Sequence, residues 1–406
     1  MKKTIICLPI LIGVGWLSYA LFQPIFDHYF GWEKIPESTY ESQFLGVEDT
    51  AYRSAIDQAK NLIDSIQQNK KLPSISIATM IGGKMAWSYA VGYQNLKERI
   101  PADTSTLYRI GSVSKALTSL GLGVLIQEGS IQLDSSIQYY TGKFLHTPKI
   151  TIRQLASHQS GIRNYITCFC FPVWEYYRNK SFENVEESLD DFEHDPLLFK
   201  PDESFSYSSY NYTAMSLAME SAQSLSFLDF MGKHVFGPLG MLHTRANSDA
   251  DRRQAVPYVT DVNYFKQAPE VDMSNKWAGG GFVSTPSDLV RAGNALLDTL
   301  LVNSKIISEI TTPQRLNDDS VNPQNYALSM RHGFSRRYLD GTYETEVIHH
   351  GGMAVGGLAL LVVFPKSEMV IALTINKGGQ EGEFELFDYI TKIANAFLEK
   401  IEEDKF

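Results

Sequence analysis

Ser112-Val113-Ser114-Lys115 is an S-x-x-K tetrad, and on a helix this spacing brings the Ser112 hydroxyl and the Lys115 amine to one face. That pairs a nucleophile with a base, the minimum for acyl transfer through a serine. A lysine accepts the serine proton only when neutral, which from an unperturbed value of ~10.4 requires a fall of ~3 pH units, or ~4 kcal/mol. Burial and a second polar group must supply it. Tyr207, in Phe205-Ser206-Tyr207-Ser208-Ser209-Tyr210, is the candidate to share that proton and pass it to a leaving group. The third element is His349-His350-Gly351-Gly352. There His350 is expected to donate to a substrate carbonyl or carboxylate, and the glycines to let a substrate backbone lie close. The N–H of Met353 would join that of Ser112 as an oxyanion donor.

Each piece alone has an ordinary explanation. In a chain of this length a chance S-x-x-K is expected about once. Ser112 also fits a plain helix N-cap, and the tyrosine run fits a surface strand. A paired histidine fits a structural or metal role, although no H-E-x-x-H or comparable ligand spacing accompanies it. Gly279-Gly280-Gly281 lacks the Gly-Lys-Ser ending of a phosphate loop and reads as a backbone turn before a strand. No G-x-S-x-G elbow is present, which argues against an α/β-hydrolase.

The elements that must hold these residues follow from periodicity. Ala55, Ala59, Leu62, Ile63 and Ile66 recur at helical spacing between Ala51 and Lys70, and Pro73 ends that helix. Ile75 to Ile81 and Met85 to Val91, separated by Gly82-Gly83-Lys84, read as an antiparallel hairpin. A second helix is expected from Ser112 to about Glu128, stopped by Gly129. Leu358 to Phe364 and Met369 to Ile375 form a second hairpin around Pro365-Lys366-Ser367. A last amphipathic helix carries Phe384, Phe387, Ile390, Ile393, Ala394 and Phe397. Together these predict an antiparallel sheet flanked by terminal helices, with a mainly helical region inserted over about Thr151 to Asp272. The aromatic residues Phe169, Phe171, Trp174, Tyr176 and Tyr177 in that insert are expected to pack in the core or to rim the substrate site.

The 406 residues carry a formal net charge of -10 with no basic stripe, which excludes nucleic acid as the expected partner. Of three cysteines, Cys7 lies in an apolar N-terminal run, and Cys168 and Cys170 are spaced too closely for a disulfide framework or a zinc site. Lys2 and Lys3 ahead of the apolar run from Ile5 to about Phe22 have the charge order of an export signal or signal anchor. Ser18-Tyr19-Ala20 is a possible cleavage site, while the aromatic residues continuing through Trp32 favour an uncleaved anchor. The expected organisation is a membrane anchor or signal peptide over 1–32, a linker over 33–50 and one catalytic unit over 51–406.

Ser112-x-x-Lys115, Tyr207-x-Ser209 and His350-x-Gly352, in that order, resemble the three-motif pattern of the serine β-lactamase and D-alanyl-D-alanine peptidase superfamily. Between them, Leu155-Ala156-Ser157-His158-Gln159-Ser160-Gly161-Ile162, Asp195-Pro196-Leu197-Leu198-Phe199-Lys200-Pro201, Pro238-Leu239-Gly240-Met241 and Lys276-Trp277-Ala278-Gly279-Gly280-Gly281-Phe282 resemble the mitochondrial serine β-lactamase-like, LACTB-type branch. The likeness spans roughly Ala51 to Phe397. It implies an α/β (α+β) β-lactamase/transpeptidase-like fold, with Ser112 acylated, Lys115 its base, Tyr207 the proton relay and His350-Gly351-Gly352 the substrate-side strand motif. Two departures stand out: Ser209 replaces the Asn of many relatives, and His350 replaces the usual Lys. A histidine titrating near pH ~6.5 in place of a permanent cation implies weaker recognition of anionic β-lactams, and kcat/KM for an anionic substrate falling as pH rises through that range.

The resulting expectation is a membrane-anchored serine hydrolase facing outward from a bacterial membrane, into the periplasm or at the cell surface. It would act on peptide-like or ester small molecules as a peptidase, amidase or esterase, without metal or organic cofactor. The rival is a catalytically silent binding or scaffold protein on the same fold.

Overall fold

Two hairpins from opposite ends of the chain meet in one antiparallel sheet. The computed structural model describes residues 13–16, 18–19, 30–166, 175–247, 251–378 and 383–404. The strands that matter to the site are β1 (Gln43–Glu48), β2 (Ser74–Ile81), β3 (Lys84–Asn95), β4 (Tyr108–Arg109), β5 (Phe282–Ser284), β6 (Arg331–Ser335), β7 (Thr345–Ala354), β8 (Gly357–Phe364) and β9 (Met369–Ile375). The helices are α1 (Arg53–Lys70), α2 (Val113–Gln127), α3 (Tyr210–Gln223), α4 (Trp277–Gly280), α5 (Pro286–Asn294) and α6 (Glu383–Glu403). The main sheet runs β6-β7-β8-β9-β2-β3-β1, and β9 pairs with β2 so that Met369 faces Ile81 and Ile375 faces Ile75.

The β2–β3 turn is built on Gly82 and Gly83, both at positive φ (54° and 74°), the geometry a tight hairpin with the right twist requires. Along β8 the side chains divide strictly by period two. Leu358, Leu360, Val362 and Phe364 join the cluster formed with α1 and α6, while Ala359, Leu361 and Val363 join the larger cluster with α2, α3 and α5. A strand buried on both faces reads as one unbroken apolar run, which is why this hairpin is so plain in the sequence. Each of these leucine, valine and phenylalanine side chains contributes about 1.5–3 kcal/mol relative to exposure.

Three strands of the main sheet were not expected. β1 lies within residues 33–50, read as a linker, yet it pairs with β3 at the edge of the sheet. Its side chains are exposed or half-buried and its register shifts between Leu45 and Glu48, so it shows no clean alternation. β7 carries His349-His350-Gly351-Gly352 inside a strand of its own rather than ahead of β8, and β6 closes the sheet beside it. The Ile5–Phe22 run lies mostly outside the described residues, and Cys168, Phe169, Cys170, Phe171 and Trp174 lie wholly outside them. Among the described residues, no helix is long and apolar enough to cross a membrane.

Candidate active site

β4 delivers the chain to Ile110 and Gly111, where it turns into α2. Gly111 has φ +48°, and a Cβ there would stand 2.5–2.7 Å from the backbone of Met353. Only glycine allows β7 to pass this close to the turn. Gly352 is pressed from the other side: its Cβ would lie 1.9 Å from the Ile110 carbonyl oxygen and 2.9 Å from the Val113 nitrogen. Gly352 of β7 therefore admits the nucleophile turn itself.

Ser112 occupies the N-cap of α2 but makes no side-chain capping bond. Its hydroxyl faces Lys115, one turn on, whose Nζ lies 3.2 Å from Ser112 Oγ. Lys115 is fully buried. Its Nζ also donates to Ser209 Oγ at 3.1 Å and to the Gly279 carbonyl at 2.5 Å, and it sits over the rings of Tyr207 and Tyr212, 4.9 and 5.1 Å from their centroids. Ser209 is likewise an N-cap, of α3, whose hydroxyl makes no capping bond. Two N-cap serines are thus turned away from their helices and towards one amine.

The Gly279-Gly280-Gly281 run does more than turn. Its segment lies against α2: Thr118 Oγ1 donates to the Ala278 carbonyl at 2.9 Å, and Ser114 Oγ accepts from the Phe282 N–H at 3.3 Å. A Cβ at Gly279 would stand 3.1 Å from the Ser209 carbonyl, so a side chain there would press on the Lys115 cradle. The role of the Gly279 carbonyl as an acceptor for Lys115 has no residue-type signature, and sequence reasoning missed it.

Below Tyr207 lies His158, fully buried, with φ +62°. Its Nδ1 accepts from the Ser208 N–H at 3.1 Å, so the ring proton is on Nε2. That Nε2 has no hydrogen-bonding partner among the described residues and sits among the rings of Tyr207, Tyr326 and Tyr212, whose centroids are 4.2, 4.7 and 5.4 Å from its own. Burial, then the nearby charge of Lys115, hold its pKa well below the usual histidine value. By gripping Ser208, His158 fixes the segment that presents both Tyr207 and Ser209.

His350 departs from expectation. It is buried, its Nδ1 donates to the Gly351 carbonyl at 2.5 Å, and its Nε2 therefore accepts from the Tyr326 hydroxyl at 2.9 Å. Both ring nitrogens are engaged within the protein, leaving none to donate to a substrate. Burial, then Arg331 and Lys115, push its pKa well below 6.5. The expected charge titrating near neutrality is absent at this position, because an imidazolium would be stranded beside two cations in a site sealed from water.

Ser112, Met353 and Gly280 line one narrow cleft with Tyr165, Tyr176, Met273, Lys276, Ala354 and Val355. Met353, with its side chain partly exposed, thus brings its backbone beside the serine as an oxyanion donor would require. Tyr207 and His350 do not line this cleft. Among the described residues no cluster of His, Cys, Asp and Glu is arranged to hold a metal ion.

A family model described as Beta-lactamase matches residues 59–395. The chain is 31% identical over 313 residues to the human mitochondrial serine beta-lactamase-like protein LACTB, covering 61% of this chain and 57% of that protein. It therefore spans little over half the length of this relative. It is 24% identical over 331 residues to penicillin-binding protein 4* of Bacillus subtilis (strain 168), covering 78% and 70% of the two chains. Among solved structures, the D-amino acid amidase of Ochrobactrum anthropi SV3 with L-phenylalanine amide superposes with a TM-score of 0.71 at 21% identity, over 87% of this chain and 99% of that one. The octameric penicillin-binding protein homologue of Pyrococcus abyssi gives 0.69 at 22%, over 84% and 77%. These neighbours share the β-lactamase/transpeptidase-like fold expected from the sequence.

Proposed function

We propose, on the premise that this chain belongs to the Beta-lactamase family and within it to the LACTB-like branch, that it hydrolyses peptide-like or ester substrates through an acyl-enzyme on Ser112. The observation that carries this reading is the buried Lys115 amine, held by Ser209 Oγ and the Gly279 carbonyl with Ser112 Oγ 3.2 Å away. In its neutral form the amine takes the Ser112 proton as Oγ bonds to the substrate carbonyl carbon. The tetrahedral oxyanion accepts from the N–H groups of Ser112 and Met353. As the intermediate collapses, the bond to the leaving group breaks and the proton passes from Lys115, by way of Tyr207, to the departing atom. Water then cleaves the acyl-serine by the same route in reverse.

Neutral His350 leaves no titrating cation at the position where a carboxylate-binding residue was expected. This supports peptide, amide or ester substrates over anionic β-lactams. The Lys2-Lys3 start ahead of the Ile5–Phe22 run supports a place at a bacterial membrane with the catalytic unit outside.

A fluorophosphonate probe tests the reading. Mass analysis should find the adduct on the peptide carrying Ser112, and Ser112→Ala should abolish it while keeping the thermal midpoint. If no serine-directed probe labels the folded protein, the reading fails in favour of a silent binding or scaffold protein.

A further inference from the structure

The acceptors of the Lys115 amine differ in kind. The Gly279 carbonyl can only accept, whereas the Ser209 hydroxyl, buried at 2% exposure, can accept and donate at once. A further partner of that hydroxyl is Tyr165, with which it shares a side-chain hydrogen bond. Tyr165 lines the cleft together with Ser112 and Met353, and Tyr207 does not. A line of exchangeable protons thus runs from Lys115 Nζ through Ser209 Oγ to Tyr165 Oη and ends at the cleft.

The line is fixed along its length. Asn164 Oδ1 accepts from the Ser209 N–H at 2.8 Å, which ties the serine to the residue before Tyr165. The Tyr165 ring stacks on Tyr176, with centroids 5.5 Å apart, and meets Tyr210 edge-on at 5.9 Å. Packing of this kind asks for a ring but not for a hydroxyl. Burial raises the Tyr165 pKa, so the hydroxyl keeps its proton at neutral pH and is suited to pass one on rather than to hold a charge. Ser209 stands where many relatives carry Asn, whose amide can bond to a lysine but cannot hand a proton along without tautomerising.

Donor counting sets the direction of the line. A neutral Lys115 has two N–H donors and one lone pair. In the free enzyme the lone pair faces the Ser112 O–H and the N–H groups go to Gly279 and Ser209, which leaves Ser209 to donate to Tyr165. Acylation removes the Ser112 proton. The lone pair can then accept from Ser209, and Ser209 from Tyr165, which opens Tyr165 Oη to a proton from the cleft.

We propose that Ser209 and Tyr165 form a second proton path to Lys115, serving the water that hydrolyses the acyl-enzyme. As the water oxygen bonds to the acyl carbon, the carbonyl electron pair moves onto the oxyanion and the water proton goes to Tyr165 Oη. The Tyr165 proton passes to Ser209 Oγ, and the Ser209 proton to Lys115 Nζ. When the bond from carbon to Ser112 Oγ breaks, Oγ takes the proton back from Lys115 and the acid departs. The proposal rests on the serine-hydrolase reading and refines its last step: the water acts through Tyr165, and Tyr207 is left to the leaving group.

The test uses p-nitrophenyl acetate, because nitrophenolate departs without a proton and so bypasses the leaving-group relay. With the full chain, stopped-flow release of nitrophenolate reads acetylation in the first turnover and deacetylation in the steady state, while mass analysis follows the acetyl adduct on the peptide carrying Ser112. In Tyr165→Phe, which keeps the ring packing, the steady-state rate should fall about 10²-fold relative to the first turnover, and the adduct should accumulate. Ser209→Asn should show the same split, and Ser209→Thr, which keeps a hydroxyl, should return the steady state to within about tenfold of the wild type. A purely structural role would slow both phases together. Equal slowing of the two phases, or a wild-type steady state in Tyr165→Phe, overturns the path; should Ser209→Asn fail to fold, Tyr165→Phe decides. A wild type whose Ser112 takes a fluorophosphonate but which does not turn over the ester also overturns it. If Ser112 takes neither label, the hydrolase reading itself falls.

Discussion

The chemistry of the site converges on one nitrogen. Lys115 Nζ reaches a serine from its own helix, a serine from α3 and a backbone carbonyl from α4, and all three oxygens are uncharged acceptors. If its task is to take a proton, a group of the same reach that cannot do so should stop acylation without unfolding the protein. Lys115→Arg keeps the charge but has no accessible neutral form, and Lys115→Met keeps the length but has no base. Both should slow fluorophosphonate labelling of Ser112 by about 10²- to 10⁴-fold. Stability should move by only about 1–3 kcal/mol, since lost hydrogen bonds to buried oxygens are set against removal of a buried charge in the methionine case. Labelling of Lys115→Arg at the wild-type rate would exclude lysine as the base. At this scale the sequence was legible in which side chains meet: Ser112, Lys115 and Ser209 lie together as their motifs suggested. It was silent on the Gly279 carbonyl, because any residue has one. It misread His350, because the tetrad HHGG does not reveal that both ring nitrogens are taken by Tyr326 and Gly351.

The elements divide by how strongly periodicity marks them. α1, α2, α6 and the two hairpins announce themselves through apolar repeats of 3.6 or through doubly buried strands, and their bounds fall within a few residues of expectation. β7 does not, because Thr345–Ala354 holds two histidines and two glycines, residues that weaken a strand pattern. What makes it a strand is β6 on one side, β8 on the other and the α2 turn pressed against Gly352. That pressure yields a prediction about a single methyl group. In Gly352→Ala the Cβ would meet backbone atoms of Ile110 and Val113, which cannot rotate aside as a side chain could. The substitution should cost about 1–3 kcal/mol or more by overpacking and should abolish Ser112 labelling. Gly333→Ala on neighbouring β6 is the control: its Cβ would find only Asn325 Nδ2, at an ordinary 3.5 Å, and the midpoint in urea should hold within about 0.5 kcal/mol. Equal midpoints for the two variants would mean that β7 and the nucleophile turn are not in the contact described.

Across the whole molecule, three histidines are held where their charge is disfavoured: His158 and His350 in the same interior as Lys115, and His349 against Phe387 of α6. His158 and His350 are 0% and 1% exposed, with pKa values held well below 6.5, and that of His349 is lowered to about 3, in each case first by burial. In the unfolded chain each would titrate near ~6.5. Below that pH the unfolded state therefore binds more protons than the folded one. Stability is at its full value above about 6.5 and falls as the solution becomes more acidic, by about 1.4 kcal/mol per pH unit for each histidine. Asp64, Glu220 and Asp288 oppose this at lower pH, since burial raises their pKa values and favours their protonated forms in the folded state. The window that isolates the histidines is accordingly pH 7.5 to 5.5. Over it, unfolding free energies from urea titrations should drop by up to about 4 kcal/mol. His350→Gln should lower stability at every pH by breaking the bond to Tyr326, yet its loss between pH 7.5 and 5.5 should be roughly two-thirds that of the wild type, because two imidazoles, His158 and His349, remain to be charged. The slope, rather than the stability itself, carries the information. A variant with the wild-type slope would show that His350 titrates alike in both states, and would reopen the place of a charged imidazole beside Ser112.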